Sequence, residues 1–308
     1  MLNTTRWKGH VAMLGANTLW GLMSPLAKLI MATGVISPFL LTGFRFWGAA
    51  ALFWLSSLVT RREHVPPKDL LLLAGAGMIG VMLNQGCFIM GVGYTSPGEA
   101  SVITTTMPMW VMLLAALILK EPITWKKGGG ILLGATGAII LITNSHSALA
   151  PKGDNAALGD LLVLTAQLSY ALYLTLYKNF IKKYSLVTLM KWMFTFAAIA
   201  SLPVVGTQAA DTDWSAVTPT MWWGIVYVAV AATFVAYICI MIGQKNLRPT
   251  VVGMYNYVQP VVAMLVGITL GLDSFTPMKS LAIALIFSGV YLVTISKSRA
   301  DMTAEAKS

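Results

Sequence analysis

The chain has 308 residues, of which 57% are apolar and only 10% charged, against roughly 25% charged in an ordinary soluble domain. With a mean hydropathy of +0.74, this composition excludes a water-soluble enzyme, a nucleic-acid-binding domain and a disordered chain, because so few charges cannot cover so much apolar surface. The net charge of +10 is read as the basic bias of cytoplasmic membrane loops rather than as a nucleic-acid footprint, and two cysteines make no disulfide framework.

A helix needs about 20 largely apolar residues to cross the hydrocarbon, and ten segments qualify. The first, 9–31, follows Arg6 and Lys8. It is interrupted by Asn17 and Ser24-Pro25 and lacks a small-residue cleavage site, so it is read as a retained span rather than a signal peptide. The others are 37–60, 69–92, 97–119, 127–143, 158–180, 186–206, 219–243, 249–271 and 277–296. Turn chemistry separates them: Gly34 with Ser37-Pro38, Pro66-Pro67, Ser96-Pro97, Glu121-Pro122, Pro151 to Asn155, Pro219, Arg248-Pro249 and Thr276-Pro277. With both termini cytoplasmic, 16 Lys and Arg fall on inner segments and only Lys152 and Lys279 on outer ones, which predicts that orientation.

The halves repeat. Pro97 and Pro108 align with Pro249 and Pro260 at an offset of 152, as do Glu121 with Asp273, Gly91 with Gly243, Gly137 with Gly289 and Cys87 with Cys239. Near the start of each half the offset is 150, pairing Gly9 with Gly159, Asn17 with Gln167, Trp20 with Tyr170 and Lys28 with Lys178. Each half holds five spans, an odd number, so the second copy enters the membrane inverted. The expected fold is therefore an all-α integral membrane protein of two inverted five-helix repeats, 9–143 and 158–296, with a cytoplasmic tail at 297–308. Inverted repeats characterise secondary transporters.

Asn17-Thr18-Leu19-Trp20-Gly21 followed by Lys28, then Phe44-Arg45-Phe46, Tyr94-Thr95, Pro108 and Leu119-Lys120-Glu121-Pro122, resemble the pattern of EamA-type transporters of the drug/metabolite transporter superfamily. The resemblance implies ten helices in two EamA repeats and movement of small metabolites, often outward. The second half departs from the pattern, with Asp273-Ser274 for Glu-Pro and Lys191 only near the place of the second-helix Arg.

Asn17, Trp20, Ser24 and Lys28 share one helical face, and Gln167, Tyr170, Leu174 and Lys178 repeat it. A polar stripe facing lipid is costly, so it should face the bundle or a wet cavity, although the lysines could also snorkel from span ends. Arg45 lies about 12 Å deep in span two and Lys191 at a comparable, shallower place in span seven; each marks a substrate path or a structural pair. Asn84, Gln85 and Phe88 form a polar and aromatic patch whose offset partner includes Tyr237. Thr104 before Pro108 and Asn256 before Pro260 mark matched hinges, because an in-helix proline frees a carbonyl and kinks the helix. Ser96-Pro97-Gly98-Glu99 reads as a helix cap rather than a proton carrier. Glu121 and Asp273 each sit at a helix C-terminus, which disfavours an anion, so each needs a cation. Lys178 and Lys28 would make an inner and an outer latch, against local pairing with Lys126, Lys127 or Lys279. No metal or catalytic cluster and no nucleotide-binding loop is present in the sequence.

These residues together predict an inner-membrane secondary transporter, not an enzyme, with no cofactor, no metal and no nucleic-acid partner. Its partners would be the lipid bilayer and a small-molecule substrate, an amino acid or related metabolite among the candidates, with proton coupling open. The competing classes are a lipid-modifying membrane enzyme, which would need clustered acids, His or a metal, and a non-transporting receptor or channel subunit, which would leave the inverted repeat unexplained.

Overall fold

The computed structural model describes residues 2–31, 33–94, 100, 103–143, 156–269 and 276–297, with backbone alone at 2–5, 24, 25, 28, 141, 142, 156, 263 and 267. Asp273, Glu99 and the side chain of Lys28 lie outside the described residues. Helices fill the places that the apolar runs predict: α1 Leu2–Met31, α2 Pro38–Leu58, α3 Pro67–Tyr94, α4 Met107–Leu119, α5 Trp125–Thr143, α6 Ala156–Leu176, α7 Leu186–Ala210, α8 Pro219–Asn246, α9 in three pieces (Pro249–Met254, Tyr255–Tyr257, Val258–Thr269) and α10 Pro277–Thr294. Among the described residues there is no strand. Among the described residues six helices, α2, α3, α6, α7, α8 and α10, are long and apolar enough to cross a membrane, and α4 is apolar but shorter.

The breaks follow from capping chemistry. Ser37, Thr218 and Thr276 each present a side-chain oxygen to the backbone N–H three residues on, and each is followed by a proline whose missing N–H costs nothing at a helix start. Ser185 caps α7 in the same way without the proline. At its other end α4 stops in a left-handed residue, Lys120 at φ 53°, and the N–H groups of Lys120 and Glu121 both turn back to the Ala115 carbonyl.

Two of the described helices contain π-helical stretches, Met78–Leu83 in α3 and Tyr227–Val235 in α8. The second is matched by side chains: Thr233 donates to the Val228 carbonyl five residues back at 2.7 Å, and the Trp20 indole donates to the Ala232 carbonyl at 2.9 Å. The proline hinges also differ from the sequence reading, which places kinks inside continuous helices. The chain turns at Thr105-Thr106 before Pro108, which sits in the first turn of α4, and it tightens to a 3₁₀ turn at Tyr255–Tyr257 before Pro260. The break thus precedes each proline, and the Thr105 carbonyl accepts from the Tyr257 hydroxyl at 3.0 Å.

Helix packing has a regular plan. α5 packs on α10, α2 on α7 and α4 on α9; α3 packs on α6 as α1 does on α8, α4 on α6 as α1 does on α9, and α2 on α8 as α7 does on α3. Small residues let backbones meet at these crossings. A Cβ on Gly130 would stand 2.7 Å from the Gly289 carbonyl oxygen, and one on Gly137 would stand 2.6 Å from that of Ala282.

Candidate functional site

Where α1, α2, α3, α6 and α9 converge they leave a cavity of about 130 Å³. Of the residues singled out in the sequence, Trp20, Arg45, Asn84, Gln85, Phe88, Thr104, Gln167, Tyr170 and Asn256 line it, with Gly21, Met23, Gln259 and Pro260. A cavity of about 150 Å³ accepts a benzene-sized guest, so the space suits a small molecule rather than a lipid chain.

The polar wall is built from interlocking amides. Gln259 Nε2 donates to Asn17 Oδ1 at 2.9 Å and approaches Asn256 Oδ1 at 3.3 Å, while Asn17 Nδ2 returns to the Met13 carbonyl at 2.8 Å. Asn17 is fully buried behind the lining, so its part is to hold Gln259 and join α1 to α9. Gln259 was not among the sequence candidates, yet it lies one helical turn after Asn256 and next to Pro260, and that spacing is its signal. Asn84 Nδ2 donates to the Ala166 carbonyl at 2.9 Å, tying α3 to α6. Thr104 bonds its own helix at the Ala100 carbonyl, 2.8 Å away.

The aromatic wall rests on Tyr237, which sits behind the lining. Its ring meets Trp20 edge-on at 5.8 Å and Phe194 at 4.9 Å, and its hydroxyl accepts from Gln85 Nε2. Tyr170 stands edge-on to Trp20 at 6.4 Å, its hydroxyl fixed by Gln244 at 3.2 Å.

Arg45 is 2% exposed. Its Nε donates to Thr233 Oγ1 at 3.0 Å, and Thr233 passes its own proton to the π-helical carbonyl of Val228. Lys191 does not join it. The Lys191 ammonium lies over the faces of Trp54 and Trp192, 4.5 and 5.7 Å from the ring centroids, and is not among the cavity residues. In this structure Lys191 thus lies apart from Arg45, and the indole faces give its cation a partner.

A second polar centre lies at one end of the bundle. The left-handed turn at Lys120 directs Glu121 inward, where it is 8% exposed. Glu121 Oε1 lies 3.0 Å from Lys178 Nζ on the chain just after α6, and Oε2 lies 3.1 Å from Lys127 Nζ on α5 and 3.4 Å from Thr250 Oγ1 on α9. The distant and the local partner are therefore engaged together. Burial alone would raise the Glu121 carboxyl, but Lys178 and Lys127 more than offset it and hold it below the ordinary carboxylate range. Lys127 is 1% exposed, and so is Lys279, 152 positions on. At this same end Asp69 binds Lys183 and the Tyr184 hydroxyl, Glu63 accepts from the Ser185 N–H, and Lys245 donates to the Tyr184 carbonyl at 2.6 Å. Among the described residues no cluster of three or more His, Cys, Asp or Glu could hold a metal ion.

The family model of the EamA-like transporter family matches the chain twice, at residues 7–143 and 157–295. The uncharacterized transporter YetK of Bacillus subtilis is 26% identical over 295 residues, covering 95% of this chain and 88% of YetK. The uncharacterized inner membrane transporter YedA of Escherichia coli is 26% identical over 294 residues, covering 93% of this chain and 90% of YedA. A crystal structure with 18% identical residues superposes with a TM-score of 0.76 over 99% of both chains, which establishes a shared fold. With two family matches that together span most of its length, the chain belongs to the EamA-like transporter family and is a helical membrane transporter.

Proposed function

We propose that the chain is a ten-helix secondary transporter of the inner membrane that exports a small metabolite by alternating access. Its two five-helix halves are related by an inverted repeat, and both termini are cytoplasmic. The observation that carries this reading is contact between equivalents. Gln85 bonds Tyr237 and Tyr257 bonds Thr105, each pair separated by 152 residues, the repeat offset itself. A residue can touch its own equivalent only beside the axis that relates the two copies. The helix contacts support the same axis, since exchanging the halves turns the α3–α6 contact into α8–α1 and the α2–α8 contact into α7–α3. So does Gly91 packed against Gly159 and Val163, which the offsets turn into Gly243 against Gly9 and Met13. Two copies that can exchange shapes can open one central site to either side in turn.

The residues predicted to face the cytoplasm, Glu121, Lys127, Lys178, Lys183, Lys245 and Arg248, gather at one end of the bundle, which supports the orientation. There Glu121 with Lys178 and Lys127 is the inner latch, closed in this conformation, with Asp273 and Lys28 its proposed outer counterpart. The substrate is an amino acid or related small metabolite, moved by diffusion or with a proton. Metabolites that raise the melting temperature of the purified protein would be tested for flux in liposomes; a hit that crosses only protein-containing liposomes is the expected result, and absence of flux for every hit refutes the reading. Single cysteines at Ser147 and Lys182 test orientation: Ser147 should react from outside and Lys182 from inside, and labelling of Ser147 only from the cytoplasm overturns it.

A further inference from the structure

The central cavity carries a charge that the protein does not balance. Arg45 is the single charged side chain among the described residues that line it, and no carboxylate is with it. Its neighbours there are amides, a threonine and aromatic rings. Of its five N–H donors, the one on Nε is used by Thr233; the four on the terminal nitrogens have no acceptor among the described residues, and they are not among the fully enclosed atoms, so they open onto the cavity. A guanidinium does not shed its proton to escape burial, and a charge in a membrane interior is retained only where a partner is found for it. A second group is also unused. Gln85 is 4% exposed, its amide nitrogen is held by Tyr237, and its Oε1 is buried without a partner. Native structures leave few such atoms.

We propose that the cavity binds a small monoanion, a carboxylate whose oxygens take the free edge of Arg45 and whose short body lies against Trp20 and Tyr170. This rests on the transporter reading and narrows it. One negative charge neutralises the one cation, whereas a phosphate dianion would leave net charge in a dry site and an ammonium alone would double it. The volume of about 130 Å³ limits the body to a few heavy atoms or one ring. The planar fork of the guanidinium fits a carboxylate with two parallel hydrogen bonds.

The test uses molecules of one skeleton that differ in charge: L-lactate, 1-amino-2-propanol and 1,2-propanediol, then benzoate, benzylamine and benzyl alcohol. Binding to the full-length purified protein is read as a saturable rise in melting temperature, and flux is read separately in liposomes. A carboxylate of at least one set should bind, and its amine and alcohol should not. Arg45→Gln should weaken that carboxylate by about 30-fold or more, the scale for losing one partner of a buried charge pair, and Arg45→Lys should keep part of the affinity. If Arg45→Gln does not fold, Gln85→Glu decides: it leaves Arg45 in place, supplies the missing negative charge, and should abolish carboxylate binding while admitting the matched amine. Binding of amines or alcohols in preference to carboxylates overturns the proposal, as does a complete absence of carboxylate binding or unchanged affinity in Gln85→Glu. A carboxylate that binds but does not cross the liposome membrane leaves the anion site standing and refutes transport. Flux of an uncharged probe with no carboxylate binding does the reverse.

Discussion

Glu121→Gln is the most informative single change at the polar end of the bundle. The native carboxylate is 8% exposed and shared by Lys127, 1% exposed, and Lys178, whose side chain is 23% exposed. The substitution keeps shape and one acceptor but removes the charge. Lys178 can swing to water, so its loss is that of a surface pair, about 0–1 kcal/mol. Lys127 cannot, and stripping one partner from a buried pair costs about 3–5 kcal/mol; the remaining amide oxygen and the Pro122 carbonyl, 3.0 Å from Lys127 Nζ, bring the total to about 3 kcal/mol. At about 2–4 °C per kcal/mol, the melting temperature in detergent should fall by roughly 6–12 °C. Adding Lys127→Met removes the stranded cation and should restore most of the loss, because replacing a whole buried pair by apolar groups is close to neutral. The pH dependence has a definite sign. The folded carboxyl lies below its unfolded value of about 4.3, so its contribution is complete above that value and is lost as pH falls through the depressed folded one. The gap between wild type and Glu121→Gln should thus be constant near neutrality and shrink in acid. A Glu121→Gln protein that melts within about 1 °C of wild type, or a double mutant no more stable than the single, refutes the reasoning.

Other perturbations separate packing from chemistry. Gly289→Ala places a Cβ 2.4 Å from the Gly130 carbonyl oxygen, with backbone on both sides, and should cost about 1–3 kcal/mol in thermal melts. Gly128→Ala in the facing helix meets open space and should stabilise by up to about 1 kcal/mol; the same sign for both would show that the α5–α10 crossing is not tight. Tyr257→Phe removes the hydrogen bond to the Thr105 carbonyl and should cost about 0.5–1.5 kcal/mol by the same measurement. For the latch, charge exchange as Glu121→Lys with Lys178→Glu should recover flux lost in each single variant, and no recovery removes Lys178 from the gate.

The sequence discloses a great deal here because a membrane permits few solutions. Every interior stretch of backbone must be satisfied within the chain, so apolar runs become helices, and Ser or Thr before Pro starts a new one at Ser37, Thr218 and Thr276, although α1 runs through Ser24-Pro25. Polar residues inside such runs must face inward, which is why Asn84, Gln85, Gln167 and Asn256 meet at one cavity. Other features are set by contacts that no local pattern contains. The π-helical turns show no signature in the sequence of α3 or α8; that of α8 is matched by Thr233 and by the indole of Trp20, more than 200 positions away. Depth alone suggested a shared role for Arg45 and Lys191, but which way each side chain turns depends on Thr233 in one case and on the Trp54 face in the other.

The proposed repeat explains the scaffold better than it explains the cavity, and the difference is informative. Positions that set the backbone's path are matched between halves: Gly91 with Gly243, Gly137 with Gly289, Pro108 with Pro260, buried Lys127 with buried Lys279. Positions that line the cavity are not, for Gln85 corresponds to Tyr237 and Thr104 to Asn256. The charge comes from Arg45 in the first half, and the second half supplies no charge to the described lining. A symmetric scaffold lets the two halves trade conformations at little cost in energy. A substrate has no such symmetry, and a site lined identically from both sides would hold it equally well in two opposed orientations. Divergence in the lining therefore fixes one orientation, with the polar end on the Arg45 side, while the matched scaffold leaves the exchange of conformations intact. On this argument a substitution that makes the cavity more symmetric, such as Gln85→Tyr, should leave helix packing stable yet weaken substrate binding, and a thermal melt beside a binding titration checks both halves of that expectation.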